Sequence, residues 1–242
     1  MGGKLQPVIS LLLPSRQRPE QLARLWNSAL DTADKPEELE CVVYVDNDDD
    51  TYDKYPFHPG IIFIKGPRLH DGKVNLSVKW NECWKLAHGD IFMHCGDDII
   101  FRTKSWDSAI RSIINSYPKN ICFVWCNDLS DGSYRNNFGT HGFIHRNWTD
   151  VIGRFVPPYF VSDYNDTWFN DVAEKLGVRN YLHEYITEHM HFSLGKAEMD
   201  NNTQERLKRH EREHPEELYY SRELRIERED EIEKLREFIN GS

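Results

Sequence analysis

Along its first 125 residues the chain switches repeatedly between short unbroken apolar runs and apolar positions at helical spacing. Residues 8–13 form one continuous run, suited to a strand covered on both faces, and Pro14-Ser15-Arg16-Gln17-Arg18 ends it. Pro19 suits a first helical position, and Leu22, Leu25, Trp26, Ala29 and Leu30 then lay one apolar stripe along a helix. The alternation continues with a strand over 40–45, the acidic run Asp46-Asn47-Asp48-Asp49-Asp50, a strand over 61–64, and a helix marked by Leu76, Trp80, Cys83, Trp84 and Ala87. Ile91-Phe92-Met93 enters the next strand and Cys95-Gly96-Asp97-Asp98 follows it. Trp106, Ala109, Ile110, Ile113 and Ile114 mark another helix, and 121–125 another strand. This order predicts an α/β fold with a single, mostly parallel twisted sheet flanked by helices on both faces. Ligands of open sheets settle beyond the carboxyl ends of the strands, where both acidic loops fall.

After Asn127 the pattern loosens. An apolar segment returns near 142–144, and Val156-Pro157-Pro158-Tyr159 is too proline-rich for a central strand. Residues 165–176 predict a helix with Trp168, Phe169, Val172 and Leu176 on one side and Gly177 at its end; 181–185 predict a short strand. From Asn201 charged residues dominate. The expected division is a main domain over 1–200 and a charged helical tail over 201–242, with a helix over 217–239 and a break near Pro215. Docking of that tail on the body competes with a homo-oligomer contact through it.

Seven tryptophans and 39% hydrophobic residues call for a real interior and exclude a fibrous or wholly disordered chain. A net charge of −10 supplies no global attraction for nucleic acid or an anionic membrane. Apolar runs fall well short of a bilayer span and the amino end lacks a signal-peptide stretch, so no membrane span and a cytoplasmic location are expected. The five cysteines form no staple pattern, and Cys122/Cys126 lacks a second pair for a zinc site, which leaves reduced core cysteine as the expectation.

Asp97 and Asp98 offer oxygen ligands for Mn²⁺ or Mg²⁺, with phosphates completing the shell; a solvated turn is the ordinary alternative. Asp46 sits where its carboxylate meets a nucleobase or ribose, with Asp48 beside it; plain surface charge competes for Asp48, Asp49 and Asp50. Arg16, Arg18, Arg68 and Lys73 are candidates to counter ligand phosphate, or else to balance the aspartates. His189 and His191 are expected to face opposite ways about Met190 and to do different jobs. His191 is the favoured metal ligand, because Ser193, Gly195 and Lys196 follow it in a polar loop able to close over phosphates. Asp163 and Asp166 stand on either side of Asn165: either can cap the following helix, or Asp166 can take the proton from an acceptor hydroxyl. Trp125, Tyr134, Phe138 and Trp148 either pack in the core or border a sugar or base.

Leu13-Pro14-Ser15-Arg16, Arg18-Pro19-Glu20, Val45-Asp46-Asn47-Asp48, Gly96-Asp97-Asp98 and Asn165-Asp166, in that order, resemble family 2 glycosyltransferases of the GT-A fold and the related uncharacterised transferases of bacteria and phages. The resemblance covers residues 7–196 and is strongest before 110. It implies a nucleotide-sugar donor, a divalent metal at an Asp-x-Asp-like strand end and an acidic base in the second half. On that resemblance Ser15 and Arg16 lie in the first nucleotide-binding loop, Asp46 contacts the base, Asp97 and Asp98 occupy the metal region, Asp166 is the base, and His191 completes metal or diphosphate contacts. Cys95 or Gly96 stands where a first motif aspartate is expected, leaving Asp97 and Asp98 as alternative direct ligands. The implied reaction displaces the nucleotide diphosphate from the sugar with inversion, toward a hydroxyl of a glycan or a modified DNA base. A nucleotidyltransferase and a noncatalytic sugar-nucleotide-binding protein are the alternatives, the first calling for two close metals.

Overall fold

Each buried apolar run becomes a strand in the computed structural model, which describes residues 8–56, 59–130 and 137–241; Tyr134 lies outside the described residues. The first half runs β1 (Ile9–Ser15), α1 (Pro19–Thr32), β2 (Leu39–Asp46), β3 (Ile61–Gly66), α2 (Leu76–Leu86), β4 (Ile91–His94), β5 (Ile99–Phe101), α3 (Trp106–Ser116) and β6 (Phe123–Asn127). The second half adds β7 (Gly142–His145), α4 (Arg146–Ile152), α5 (Asn165–Leu176), β8 (Arg179–His189), α6 (Asn201–Glu213), α7 (Pro215–Tyr219) and α8 (Arg222–Asn240). The strands join in one sheet of order β3-β2-β1-β4-β7-β6-β8-β5. β3, β2, β1 and β4 are parallel neighbours, β7 runs antiparallel between β4 and β6, and β6 is parallel to β8. This is the expected GT-A-like architecture.

Strand burial explains why the pattern was continuous rather than alternating. All of β4 and nearly all of β1 and β2 are buried on both faces, as parallel strands between helical layers must be. α2 covers β1 and β2, where Trp80 Nε1 donates to Leu12 O at 3.0 Å and Cys83 Sγ lies 3.7 Å from Leu13 O. The described cysteines are all free and buried. Because β1 is flanked by β2 on one side and β4 on the other, the strand order reverses there, and the carboxyl ends of these three strands diverge into a crevice.

Two elements differ from the expectation. The strand expected over 181–185 is the 11-residue β8, and β5 is a short strand directly behind Asp98. β8 carries intermediate and exposed positions where the central strands are buried, so its apolar signal is weak. Its pairing with β6 slips between Cys126↔Leu182 and Asn127↔Ile186, a bulge that lets β8 leave β6 and pair antiparallel with β5, Ile99 opposite His189. The tail also differs in detail. Pro215 opens the short α7, and Ser221 caps α8 by accepting from Leu224 N, so the helix expected over 217–239 is two pieces. Tyr219, Leu224 and Leu235 dock in the same core as the sheet. Buried Glu231 accepts from Trp148 Nε1 at 3.3 Å and Trp168 Nε1 at 2.9 Å and pairs with Arg154 at 2.9 Å. Among the described residues no helix is long and apolar enough to cross a membrane.

Candidate active site

The crevice at the ends of β1, β2 and β4 is a cleft closed by the first turn of α5 on one side and by α6 on another. At the β2 end its charges are already matched. Asp46 accepts from Arg16 at 3.2 Å and from buried Lys79, a residue of α2 that the sequence pattern passed over. Arg16 also forks onto Asp48 at 2.5 and 3.1 Å, and Asp48 is half exposed. Burial lowers the Lys79 pKa against the pull of Asp46.

A second knot ties both halves of the chain together. Asp97 accepts from Ser15 Oγ at 2.6 Å and Arg18 at 2.9 Å, while Arg18 forks onto Asp200, the cap of α6, at 2.7 and 2.8 Å. Tyr52 OH closes the knot against Ser15 Oγ at 2.6 Å. Burial raises the Asp97 pKa, and both its oxygens are engaged. Arg18 is likewise saturated, so the structure gives it the place of a brace joining the β1 loop, the acidic loop and the tail.

Asp98 stands apart from these knots. One ligand atom each of Asp98, His141 and His189 lie within 4.8 Å of one another. His189 Nε2 lies 3.2 Å from Asp98 Oδ2, and Met190 N donates to Asp98 O at 2.8 Å. The β8 bulge thus brings His189, and not His191, to the carboxylate. The expectation that the two histidines face opposite ways fails on geometry: residues two apart in an extended segment share a face, and their ring centroids are 5.0 Å apart. His191 lines the same cleft, with Nδ1 2.7 Å from Ser193 Oγ.

The triad fits a divalent cation. His141 Nε2 is buried with no hydrogen-bond partner, while Nδ1 lies 3.3 Å from the His94 carbonyl, which fixes the ring. A Cβ at Gly96 would sit 2.7 Å from Asp98 Oδ1 and 3.2 Å from His141 Cε1, so only glycine leaves the ligands room to converge. Burial pushes His141 down to about 4, keeping it neutral as a ligand must be. Burial opposes ionisation of Asp98, yet His189 holds its carboxyl well below the ordinary range. His141 follows an irregular segment and carried no motif.

Across the cleft, α5 begins after Tyr164, which has φ 77° and makes no side-chain cap. Neither Asp163 nor Asp166 caps the helix. Asp163 pairs with Arg206 at 2.5 Å and His210 at 2.7 Å on α6. Among the described residues the Asp166 carboxylate accepts from Thr167 alone, at 2.8 Å from N and 3.5 Å from Oγ1, and desolvation, helped by Asp163 and opposed by Arg206, raises its carboxyl to about 6. Arg206 and Arg209 of α6 face the same space, with Arg209 Nε buried and unpartnered.

Ser15, Arg16, Arg18, Asp46, Asp97, Asp98, Asp166 and His191 therefore meet around one cleft. Lys73 and Lys196 do not line it: Lys73 is exposed and pairs with Glu213 at 2.5 Å, and Lys196 pairs with Glu188 at 3.1 Å. Trp125 and Trp148 are core residues. Lys79, His141, Arg206 and Arg209 are cleft residues that the pattern did not single out, and His189 takes the place expected for His191.

No family model and no curated protein matches the chain. Solved structures do. The mannosyltransferase PcManGT from Pyrobaculum calidifontis, in complex with GDP-Man and Mn²⁺, aligns with TM-score 0.58 and 13% identity over 77% of this chain and 57% of that one. S. aureus TarS 1-349 aligns with TM-score 0.55 and 14% identity over 75% and 60%, and its complex with UDP-GlcNAc with TM-score 0.56 and 15% identity over 74% and 58%. The chain spans less than two thirds of these proteins, and at such identities the likeness is one of fold: a glycosyltransferase-like fold.

Proposed function

We propose that the chain is a metal-dependent glycosyltransferase of the family 2 type, moving a sugar from a nucleotide-sugar donor to a hydroxyl acceptor with inversion. One observation carries the reading: a metal-competent triad and the half-buried carboxyl of Asp166, raised by desolvation, share a single cleft at the strand-order reversal. The fold shared with PcManGT, whose complex holds GDP-Man and Mn²⁺, supports the same direction.

Asp98, His141 and His189 would hold the cation, and two imidazole ligands would favour Mn²⁺ over Mg²⁺, which prefers an all-oxygen shell. When bound, the cation supplies charge neutralisation for the departing diphosphate. Arg209 and Arg206 add fixed positive charge from α6. Asp166 takes the proton of the acceptor hydroxyl as its oxygen bonds to the anomeric carbon and the bond to the diphosphate oxygen breaks. A carboxylate near pKa 6 is ionised at neutral pH yet basic enough to assist. A single triad among the described residues, with Asp97 engaged by Ser15 and Arg18, supports one metal instead of the pair a nucleotidyltransferase calls for.

The test is a panel of UDP- and GDP-sugars with Mn²⁺ and with excess chelator, read by calorimetry and by release of nucleoside diphosphate. Binding and slow release in Mn²⁺ alone are expected. Equal affinity with chelator would overturn the metal-dependent site.

A further inference from the structure

The cleft is lined by polar groups that no described residue satisfies with a well-formed hydrogen bond. His94, at the end of β4, is 6% exposed and lines the cleft; the Thr140 backbone lies close to its ring, yet neither ring nitrogen makes a well-formed hydrogen bond among the described residues. Its ring lies 4.2 Å from Trp80, 6.2 Å from His141 and 6.0 Å from Phe169 of α5, centroid to centroid. It therefore forms floor between the metal triad and the helix that carries Asp166. Asn165, 1% exposed, stands in the first turn of that helix. Its Oδ1 lies 2.9 Å from Ser77 Oγ, and its Nδ2 is buried without a partner. Whichever way the amide is turned, one end meets Ser77 and the other is left without a partner, on a residue that lines the cleft.

A packed interior does not normally leave such valency open, because a buried polar group without a partner loses its hydration and gains nothing in return. Phenylalanine would fill the His94 site among Trp80, Phe155 and Phe169 without that cost. We infer that His94 and Asn165 are the hydroxyl-recognition floor of the transferred sugar, taking hydrogen bonds from the ring that lies between the metal triad and Asp166. This rests on the transfer reading above. The ligand class is a neutral polyhydroxylated ring, since floor groups bring hydrogen-bonding capacity and no carboxylate or guanidinium.

The experiment uses the full chain with Mn²⁺ and the donor turned over fastest among UDP-glucose, UDP-N-acetylglucosamine and GDP-mannose. For wild type, His94→Phe and Asn165→Leu, three quantities are read: kcat/KM for donor hydrolysis, Ki for the bare nucleoside diphosphate, and Tm. His94→Phe is expected to raise Tm, leave Ki within about twofold and lower kcat/KM about tenfold or more. Asn165→Leu is expected to lower kcat/KM likewise with Ki unchanged. A merely structural role predicts the opposite signature. Unchanged kcat/KM, a parallel loss of kcat/KM and Ki, or a His94→Phe chain that is less stable or fails to fold overturns the inference while leaving the transfer reading standing. Wild-type protein that binds and hydrolyses none of the three donors overturns both.

Discussion

The two ends of the cleft obey opposite rules. Around the ends of β1 and β2 the charges are paired: Lys79 and Arg16 on Asp46, Arg16 on Asp48, and Arg18 tying Asp97 to Asp200. At the β4–α5 end, among the described residues, His94, His141 and Asn165 keep buried atoms with no well-formed hydrogen bond, and Asp166 forms no ion pair. The first end is built to hold its shape, and the second is built to be completed by something else. Stability and activity should therefore separate along the cleft, and substitutions at each end measure how cleanly they do.

The largest separation is expected at Asp166. Asp166→Asn should cut turnover about 10²–10⁴-fold with the chemical step rate-limiting, because proton removal is lost, while Tm holds. Near-normal turnover moves the base elsewhere. The mirror experiment is Lys79→Ala, which leaves buried Asp46 with Arg16 alone and should cost about 1–3 kcal/mol in chemical denaturation. A neutral result there would erase the contrast between the ends.

Gly96→Ala tests the triad without touching a ligand. Its new Cβ crowds Asp98 and His141, so Mn²⁺ affinity by calorimetry should drop about 10–100-fold with little change in fold stability. A smaller effect is expected from pH. Asp166 is raised, so it gains its proton as pH falls through about 6, and kcat/KM should decline below that value with a one-proton slope. In stability the sign is reversed: the raised carboxyl favours the folded state while protonated, and that contribution fades as pH climbs through about 6. The smallest effect is assigned to Lys73→Ala, an exposed pair with Glu213, which should leave donor affinity within about twofold.

What was legible in the sequence was whatever local spacing encodes. The buried strands read as apolar runs because both faces are covered, and Asp46, Asp97 and Asp98 could be placed because they directly follow such runs. The rest depends on tertiary register. Which histidine reaches Asp98 is decided by the bulge in β8, and no local pattern distinguishes His189 from His191. Lys79 looked like the polar side of α2, yet it is buried because the acidic strand end lies against it. Arg206 and Arg209 belong to a segment whose charge density suggests a solvated face. Their signal was there in part: Asn202, Arg206 and Arg209 recur at helical spacing, the mark of one polar face turned toward a common partner.

The brace between Arg18 and Asp200 has a consequence in time. The partners are 182 residues apart in sequence. At about 5–20 residues per second, the ribosome needs roughly 9–36 s after Arg18 to deliver Asp200. During that interval the early strands can pair, but the α6 wall of the cleft does not yet exist. The cleft is complete only once residues 201–213 have been made, so a chain ending at residue 200 should keep the sheet and lack that wall.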